Sequence, residues 1–400
     1  MLVPGSLLSQ AEFKLGIENI STAIVQQLKG YGRELSIGLV TNQTGKSQAG
    51  VRTIDVLLQR GLHIKRIFAP EHGIEGLIKA EQEVPDAIDS KTAIPVMSLY
   101  GKGSGKKIGS NKIKDLDVLI FDIQDSGMRH YTYISTLLQV MEVAAKYNKS
   151  LFVFDRPNPL GAIMEGPIAD STFKSFITPP IPLRYGMTLG ELARYFNRYV
   201  LKKQVKLQVV PMKAYERTVG LPGSLLAPLS PNIPSKESCL GYSFLGLLGE
   251  VKPLDTGLGT DNPMRCIALP SGVKLLPPKW KKLQLRLHQL GVESLGVTYY
   301  SPRKKENCQG LQVSLHDPNN YSAFDVMITV LRFFYQEGVP LTFSDVFDKA
   351  AGTSKVREYI IGKITWETLA REVNEQIEGF ARRAQDLMLY EPLPKLLLLK

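Results

Sequence analysis

Cysteine is scarce in this chain: there are three in 400 residues, Cys239, Cys266 and Cys308, far apart and without CxxC spacing. That excludes a disulfide framework or a cysteine-ligated zinc as the organising device and leaves one disulfide as the most the chain could form. Long apolar runs are missing too. No stretch approaches the roughly 20 apolar residues that a membrane span requires, so no integral membrane segment is expected. The opening MLVPGSLLSQAEF has neither the positive start nor the continuous apolar stretch of a signal peptide. Zinc-finger spacing, a basic region with heptads and an aromatic RNP strand are all absent, so no nucleic-acid partner is expected. HxxH-type ligand spacing is missing, and no glycine fingerprint follows the apolar run that ends at Val40. The stretch YGKGSGKKIGS (100–110) encloses only three residues between Gly101 and Gly105 and reads as a surface loop rather than a phosphate loop. Neither a metal nor a nucleotide cofactor is expected, and there is no internal repeat.

What is present is the composition of a globular protein, 44% hydrophobic and 22% charged. At 400 residues the chain exceeds what one core usually serves, and two domains are expected. The net charge of +11 would draw anionic partners over long range. The one local basic cluster, PRKK (302–305), is short and reads as solvated surface.

Short apolar runs at 34–40, 63–68, 94–99, 117–121 and 151–154 have the texture of strands. Between them, Val51, Ile54, Leu57 and Leu58, and later Ile134, Leu137, Leu138 and Met141, recur at helical spacing. Thr188-Leu-Gly-Glu191 has the spacing of a capping box at a helix start. Continuous apolar strands alternating with amphipathic helices predict an α/β fold: a Rossmann-like parallel sheet covered on both faces over 1–230. From the proline-rich APLSPNIPS onward the alternation becomes irregular. A strand at 311–315 and helices at 324–334 and 369–380 predict a smaller α+β auxiliary domain over 231–400 that completes a cleft.

In an open parallel sheet, the loops leaving the carboxyl ends of the strands form the ligand crevice. Three strands here end in reactive residues. RIFAPEHGIEG (66–76) delivers Glu71 and His72, VLIFDIQDSGMRHYTY (118–133) delivers Asp122, Asp125 and Arg129, and LFVFDRPNP (151–159) delivers Asp155, Arg156 and Asn158. Taken singly, Asp122 and Asp155 read as helix caps or turn formers, Arg156 as a partner for one of them, and His72 as a hydrogen-bonded structural residue. Their coincidence on one rim points to a site, because gathering like charges is costly. Paired carboxylates suit glycoside cleavage, in which one carboxyl protonates the leaving oxygen while a second group stabilises or attacks the oxocarbenium-like centre.

Together with these motifs, GLVTNQTG (38–45), GVRTIDVL (50–57), IPVMSLYG (94–101), DRPNPLGAIMEGP (155–167), IPLRYGMTLGELA (181–193) and SPNIPS (230–235) give the chain a resemblance to the exo-β-N-acetylmuramidase family. The resemblance runs in order over most of the first 235 residues and thins beyond. It implies a metal- and nucleotide-independent glycosidase that releases N-acetylmuramic acid from the non-reducing end of peptidoglycan fragments. It also implies a peptidoglycan-derived sugar or muropeptide as partner and a periplasmic or secreted setting. Carried over residue by residue, Glu71 is the expected general acid and Asp122 or Asp125 the second carboxylate, with His72 orienting one of them. Arg129 or Arg156 is expected to clasp the lactyl carboxylate. Tyr131 or Tyr133 is expected against a pyranose face, core packing being an equal reading of either. Asn42, Asn158 and Asn232 complete the expected binding residues.

The sequence departs from the family pattern at Glu75, where an arginine is usual, and at Ala80-Glu81-Gln82, which displaces a glutamate. DTGLGT (255–260) stands where a segment close to Glu-Gly-Thr-Asn followed by Gly-Arg-Gly-Thr is usual. These departures keep a second reading open: a homologue that binds muropeptide or wall glycan without cleaving it.

Overall fold

A computed structural model describes residues 12–79, 82–99, 109, 112–173, 175, 177–219 and 228–399. The loop at 100–108 and the departure at Ala80-Glu81 lie outside the described residues. In chain order the first half supplies strands β1 (Ile37–Thr41), β2 (Ile64–Ala69), β3 (Ala87–Ile88), β4 (Pro95–Ser98), β5 (Val118–Asp122), β6 (Ser150–Phe154), β7 (Ile163–Glu165), β8 (Arg184–Tyr185) and β9 (Lys206–Val210). Its helices are α1 (Thr22–Lys29), α2 (Thr53–Gln59), α3 (Thr132–Lys146) and α4 (Leu189–Tyr199).

Seven of these strands form one sheet in the order β3-β4-β2-β1-β5-β6-β9, parallel except where the short β3 runs against β4. β5 shows why its sequence is apolar without alternation. Leu119 and Phe121 join the core that contains Ile134, Leu137 and Met141 of α3, whereas Val118 and Ile120 join the core that contains Leu28 of α1 and Ile54 and Leu57 of α2. Successive side chains point to opposite faces, and both faces are covered. The capping box at α4 forms as its spacing predicts: Glu191 N donates to Thr188 Oγ1 at 3.3 Å and Thr188 N to Glu191 Oε2 at 2.9 Å.

The second half begins with α5 (Lys236–Leu248) and continues through β10 (Val251–Lys252), β11 (Cys266–Pro270), α6 (Pro277–Gln289), β12 (Glu293–Ser301), β13 (Glu306–Ser314), α7 (Ala323–Gln336), β14 (Thr342–Phe343), α8 (Asp345–Ala351), α9 (Lys355–Ile360), α10 (Trp366–Ala384) and β15 (Lys395–Leu396). β11, β13 and β12 make an antiparallel sheet in that order, and the strand predicted at 311–315 is the end of the longer β13. The architecture is α/β, a mostly parallel sheet followed by a smaller sheet-containing region.

The predicted division after residue 230 falls in the loop before α5, yet the end of the chain crosses back. Leu389 N donates to Glu191 at 2.8 Å, Tyr390 OH to Asp155 at 2.7 Å, and β15 pairs with β7. All three cysteines are free and buried. Among the described residues no helix is long and apolar enough to cross a membrane.

Candidate active site

The turn that follows β2 is built by its own residues. Pro70 has no N–H for the ladder, so β2 stops at Ala69. The chain then doubles back through two consecutive left-handed residues, His72 (φ 72°) and Gly73 (φ 78°), with Gly73 N donating to Pro70 O at 3.1 Å. For a histidine that backbone is costly and persists only where the surroundings fix it. The fixing contact is the ring: Nδ1 sits 2.6 Å from the Ile78 carbonyl oxygen. A carbonyl only accepts, so Nδ1 carries the proton. The turn leaves the Glu71 carboxylate 7% exposed, where Thr132 Oγ1, at the first residue of α3, donates to its Oε2 at 2.7 Å.

Glu71 and His72 open onto a cleft of about 680 Å³ between the carboxyl edge of the sheet and the second half of the chain. His130, Tyr131 and Thr132 form its floor, Ser230 to Ile233 one side, and Tyr242 and Glu250 of the α5 region another. Leu258, Met264 and Arg303 close it from the second half. Tyr242 packs edge-on to Tyr131 at 5.8 Å and tilted against the His130 ring at 4.8 Å, giving the floor an aromatic face of the kind that suits a sugar ring. A larger cavity, about 1160 Å³, lies between α6, α7 and β15 and contains none of the predicted site residues.

Glu71, His72, Tyr131 and Asn232 therefore meet in one place, and the other predicted residues do not line it. Asp122 is fully buried and held by Arg156, whose Nε and Nη2 lie 2.5 and 2.9 Å from its two oxygens, and by the Thr53 hydroxyl. Arg156 gives its remaining reach to Lys46 O at 3.0 Å. Both side chains are thus engaged inside the protein, and neither lines the cleft that holds Glu71.

Arg129, also fully buried, donates to the carbonyls of Pro167, Ile181 and Ala350 at 2.5, 2.9 and 2.8 Å and ties three segments together instead of facing a ligand. Asn158 bridges Met187 O and Leu160 N, and the Asn42 Oδ1 is taken by Thr44. Tyr133 is core, with its hydroxyl on Leu229 O at 3.2 Å. The Nδ1 of His72 is spent on the loop, bonded to a carbonyl and not to a carboxylate. Asp155 is the cap the plainer reading of the sequence gives, accepting from Thr188 Oγ1 at 2.7 Å and Gly190 N at 2.8 Å.

Asp125 lies off the cleft yet acts electrostatically on Tyr131, Tyr133 and Tyr242. It accepts from the Tyr185 hydroxyl and from Gly127 N, and its Oδ2 has no partner among the described residues. Burial, outweighing those hydrogen bonds, pushes its carboxyl up from 3.8 to about 7. Between those values the folded protein keeps a proton that the unfolded chain releases. The associated stability is complete at the acid end and is lost as pH rises through about 7. In urea unfolding across this window, the stability of wild type relative to Asp125→Asn should fall as pH rises and level off above it. A difference that stays flat would show that Asp125 holds no proton there.

Several cleft residues escaped the sequence reading, among them His130, Thr132 and Glu250. His130 is buried, has both ring nitrogens unpartnered among the described residues, and is held neutral as burial and the neighbouring Arg129 push it down to about 3. Thr132 was visible in the RHYTY string but gave no signal of its own. Glu250 follows an apolar helix and accepts from Ser344 Oγ at 2.7 Å. Among the described residues no group of three or more His, Cys, Asp or Glu is placed to hold a metal ion.

Sheet and cleft together define an α/β protein with a polar, aromatic-floored cleft at the carboxyl edge of its strands, lined by the carboxylates of Glu71 and Glu250. The comparisons with known proteins give that class its family. The family model described as exo-beta-N-acetylmuramidase NamZ, N-terminal, covers residues 37–237, and its C-terminal counterpart covers 240–390. The peptidoglycan beta-N-acetylmuramidase NamZ of Bacillus subtilis is 33% identical over 386 residues, 94% of this chain and 91% of that protein. Two crystal structures of DUF1343 family proteins from Bacteroides fragilis share the fold. One has a TM-score of 0.83 at 33% identity and the other 0.74 at 27%, each covering 95% of this chain and 99% of the other. This chain belongs to the NamZ exo-beta-N-acetylmuramidase family.

Proposed function

We propose that the protein is a peptidoglycan glycoside hydrolase that releases N-acetylmuramic acid from the non-reducing end of wall fragments. The observation that carries this reading is the Glu71 carboxyl, nearly buried, steadied by Thr132 and facing an aromatic-floored cleft of sugar size. Glu71 donates a proton to the glycosidic oxygen as the bond to the anomeric carbon breaks, and water supplies the oxygen that replaces it. Glu250 is the second carboxylate that lines the cleft, and it stabilises the positive charge that develops on the sugar, the role that the sequence reading gave to Asp122 or Asp125.

The departures at Glu75 and Gln82 fall on exposed positions outside the cleft lining, which favours retained catalysis; the one at 255–260 contributes Leu258 and Gly259 to its wall. The test is incubation of peptide-free glycan bearing a terminal muramic acid, followed by mass spectrometry. Release of single N-acetylmuramic acid units from the end is the expected result. Binding of the glycan with no product over long incubation would replace this reading with that of a wall-binding homologue.

A further inference from the structure

N-Acetylmuramic acid differs from N-acetylglucosamine by one group, a lactyl ether that ends in a methyl and a carboxylate. A site that prefers the first sugar to the second must offer that group a cation and an apolar neighbour. The arginines that sequence pattern favoured for this, Arg129 and Arg156, are buried, bond to carbonyls and to Asp122 inside the protein, and do not line the cleft. Two cationic side chains line the cleft that holds Glu71: Lys79 and Arg303.

Arg303 sits in the turn between β12 and β13, within the basic cluster that sequence alone assigned to solvent. Its guanidinium has no hydrogen bond or ion pair among the described residues, but its backbone is firmly placed. Lys305 N donates to Ser301 O at 2.8 Å, closing the turn, and Lys304 N to Ser301 Oγ at 3.2 Å. Ser301 Oγ and Tyr299 OH donate to the two oxygens of the buried Asp255 at 2.7 and 2.6 Å, which ties the hairpin to the 255–260 loop. A Cβ on Gly259 would lie 3.6 Å from the Pro302 ring, so the two segments abut where they form the cleft wall. Leu258 and Met264 give the same wall apolar surface. An anchored backbone with a free guanidinium beside apolar side chains matches a lactyl group: carboxylate to the planar fork, methyl to Leu258 and Met264.

We infer that Arg303 is the specificity-determining residue of the cleft, the one that recognises the free lactyl carboxylate of the substrate. The inference rests on the muramidase reading, and binding can be measured apart from turnover. Affinities of N-acetylmuramic acid and its methyl ester are compared by calorimetry for wild type, Arg303→Ala, Arg303→Lys and Lys79→Ala, alongside hydrolysis of a chromogenic muramide. Wild type should bind the acid at least about tenfold more tightly than the ester, the scale of one charge-assisted contact. Arg303→Ala should bring that ratio close to one, Arg303→Lys should restore part of it, and Lys79→Ala should keep it.

A ratio that survives in Arg303→Ala, or one lost in Lys79→Ala instead, overturns the assignment even where hydrolysis is normal. A wild type with no preference for the acid overturns it as well. Acid selectivity that depends on Arg303 in a protein that hydrolyses nothing upholds the assignment and sinks the hydrolase reading.

Discussion

Replacing Glu71 by glutamine should lower muramide hydrolysis by roughly 10²–10⁴-fold, the usual contribution of a positioned general acid. Glutamine has nearly the same volume, and its carbonyl oxygen can still accept the Thr132 hydroxyl, now 2.7 Å from the carboxylate. The His72–Gly73 turn and the aromatic floor do not depend on the charge. The variant loses only the proton it must give to the leaving oxygen. The measurement is the initial rate on a chromogenic muramide, with binding of N-acetylmuramic acid as the check on the cleft. Loss of rate with binding retained is the expected pair of results. Equal turnover in the two proteins would remove Glu71 from the acid's role, and loss of binding along with rate would mark it as a positioning group for the sugar instead.

The reasons that Glu71 was legible and others were not are local. The positions of the strands needed only the apolar runs, and β5 announced itself because all five of its residues are buried. Glu71 was legible because proline, histidine and glycine around it specify a turn that no sheet or helix would use. Asp122 and Arg156 look equally functional as letters. What separates them from Glu71 is that each is the other's partner, the end of β5 meeting the segment just beyond β6, a contact that sequence spacing does not reveal. Arg129 misled for the same reason, since its three acceptors are carbonyls more than 35 residues away in sequence, and a carbonyl leaves no trace in residue identity. Glu250 and Arg303 reach the cleft only through packing of the second half, where short strands and irregular connections hide the register. The basic turn at 302–305 could be seen in the sequence, but not the wall it belongs to.

That packing includes a buried ion pair whose loss should be strongly destabilising. Glu165, at the end of β7, and Arg184, in β8, are 1% and 0% exposed and meet at 2.9 Å. Arg184 also donates to the carbonyls of Leu160 and Pro318 at 2.5 Å each. The other capacity of Glu165 goes to α7: it accepts from Ser322 Oγ at 2.5 Å, Ala323 N at 3.0 Å and Phe324 N at 3.3 Å. One carboxylate thus neutralises a buried guanidinium in the first half and caps a buried helix of the second, where negative charge at a helix start is favourable. Glu165→Ala leaves Arg184 charged without a counter-ion and frees the first amides of α7, a loss of about 3–5 kcal/mol, most of it from the stranded charge. Denaturant unfolding measures it. The double variant Glu165→Ala/Arg184→Met should recover part of that loss, because removing both charges abolishes the desolvation penalty that removing one exposes. If the double variant were instead as unstable as the two single losses added together, the bonds to α7 and to the backbone carbonyls, and not the ion pair, would be what joins the two halves around the cleft.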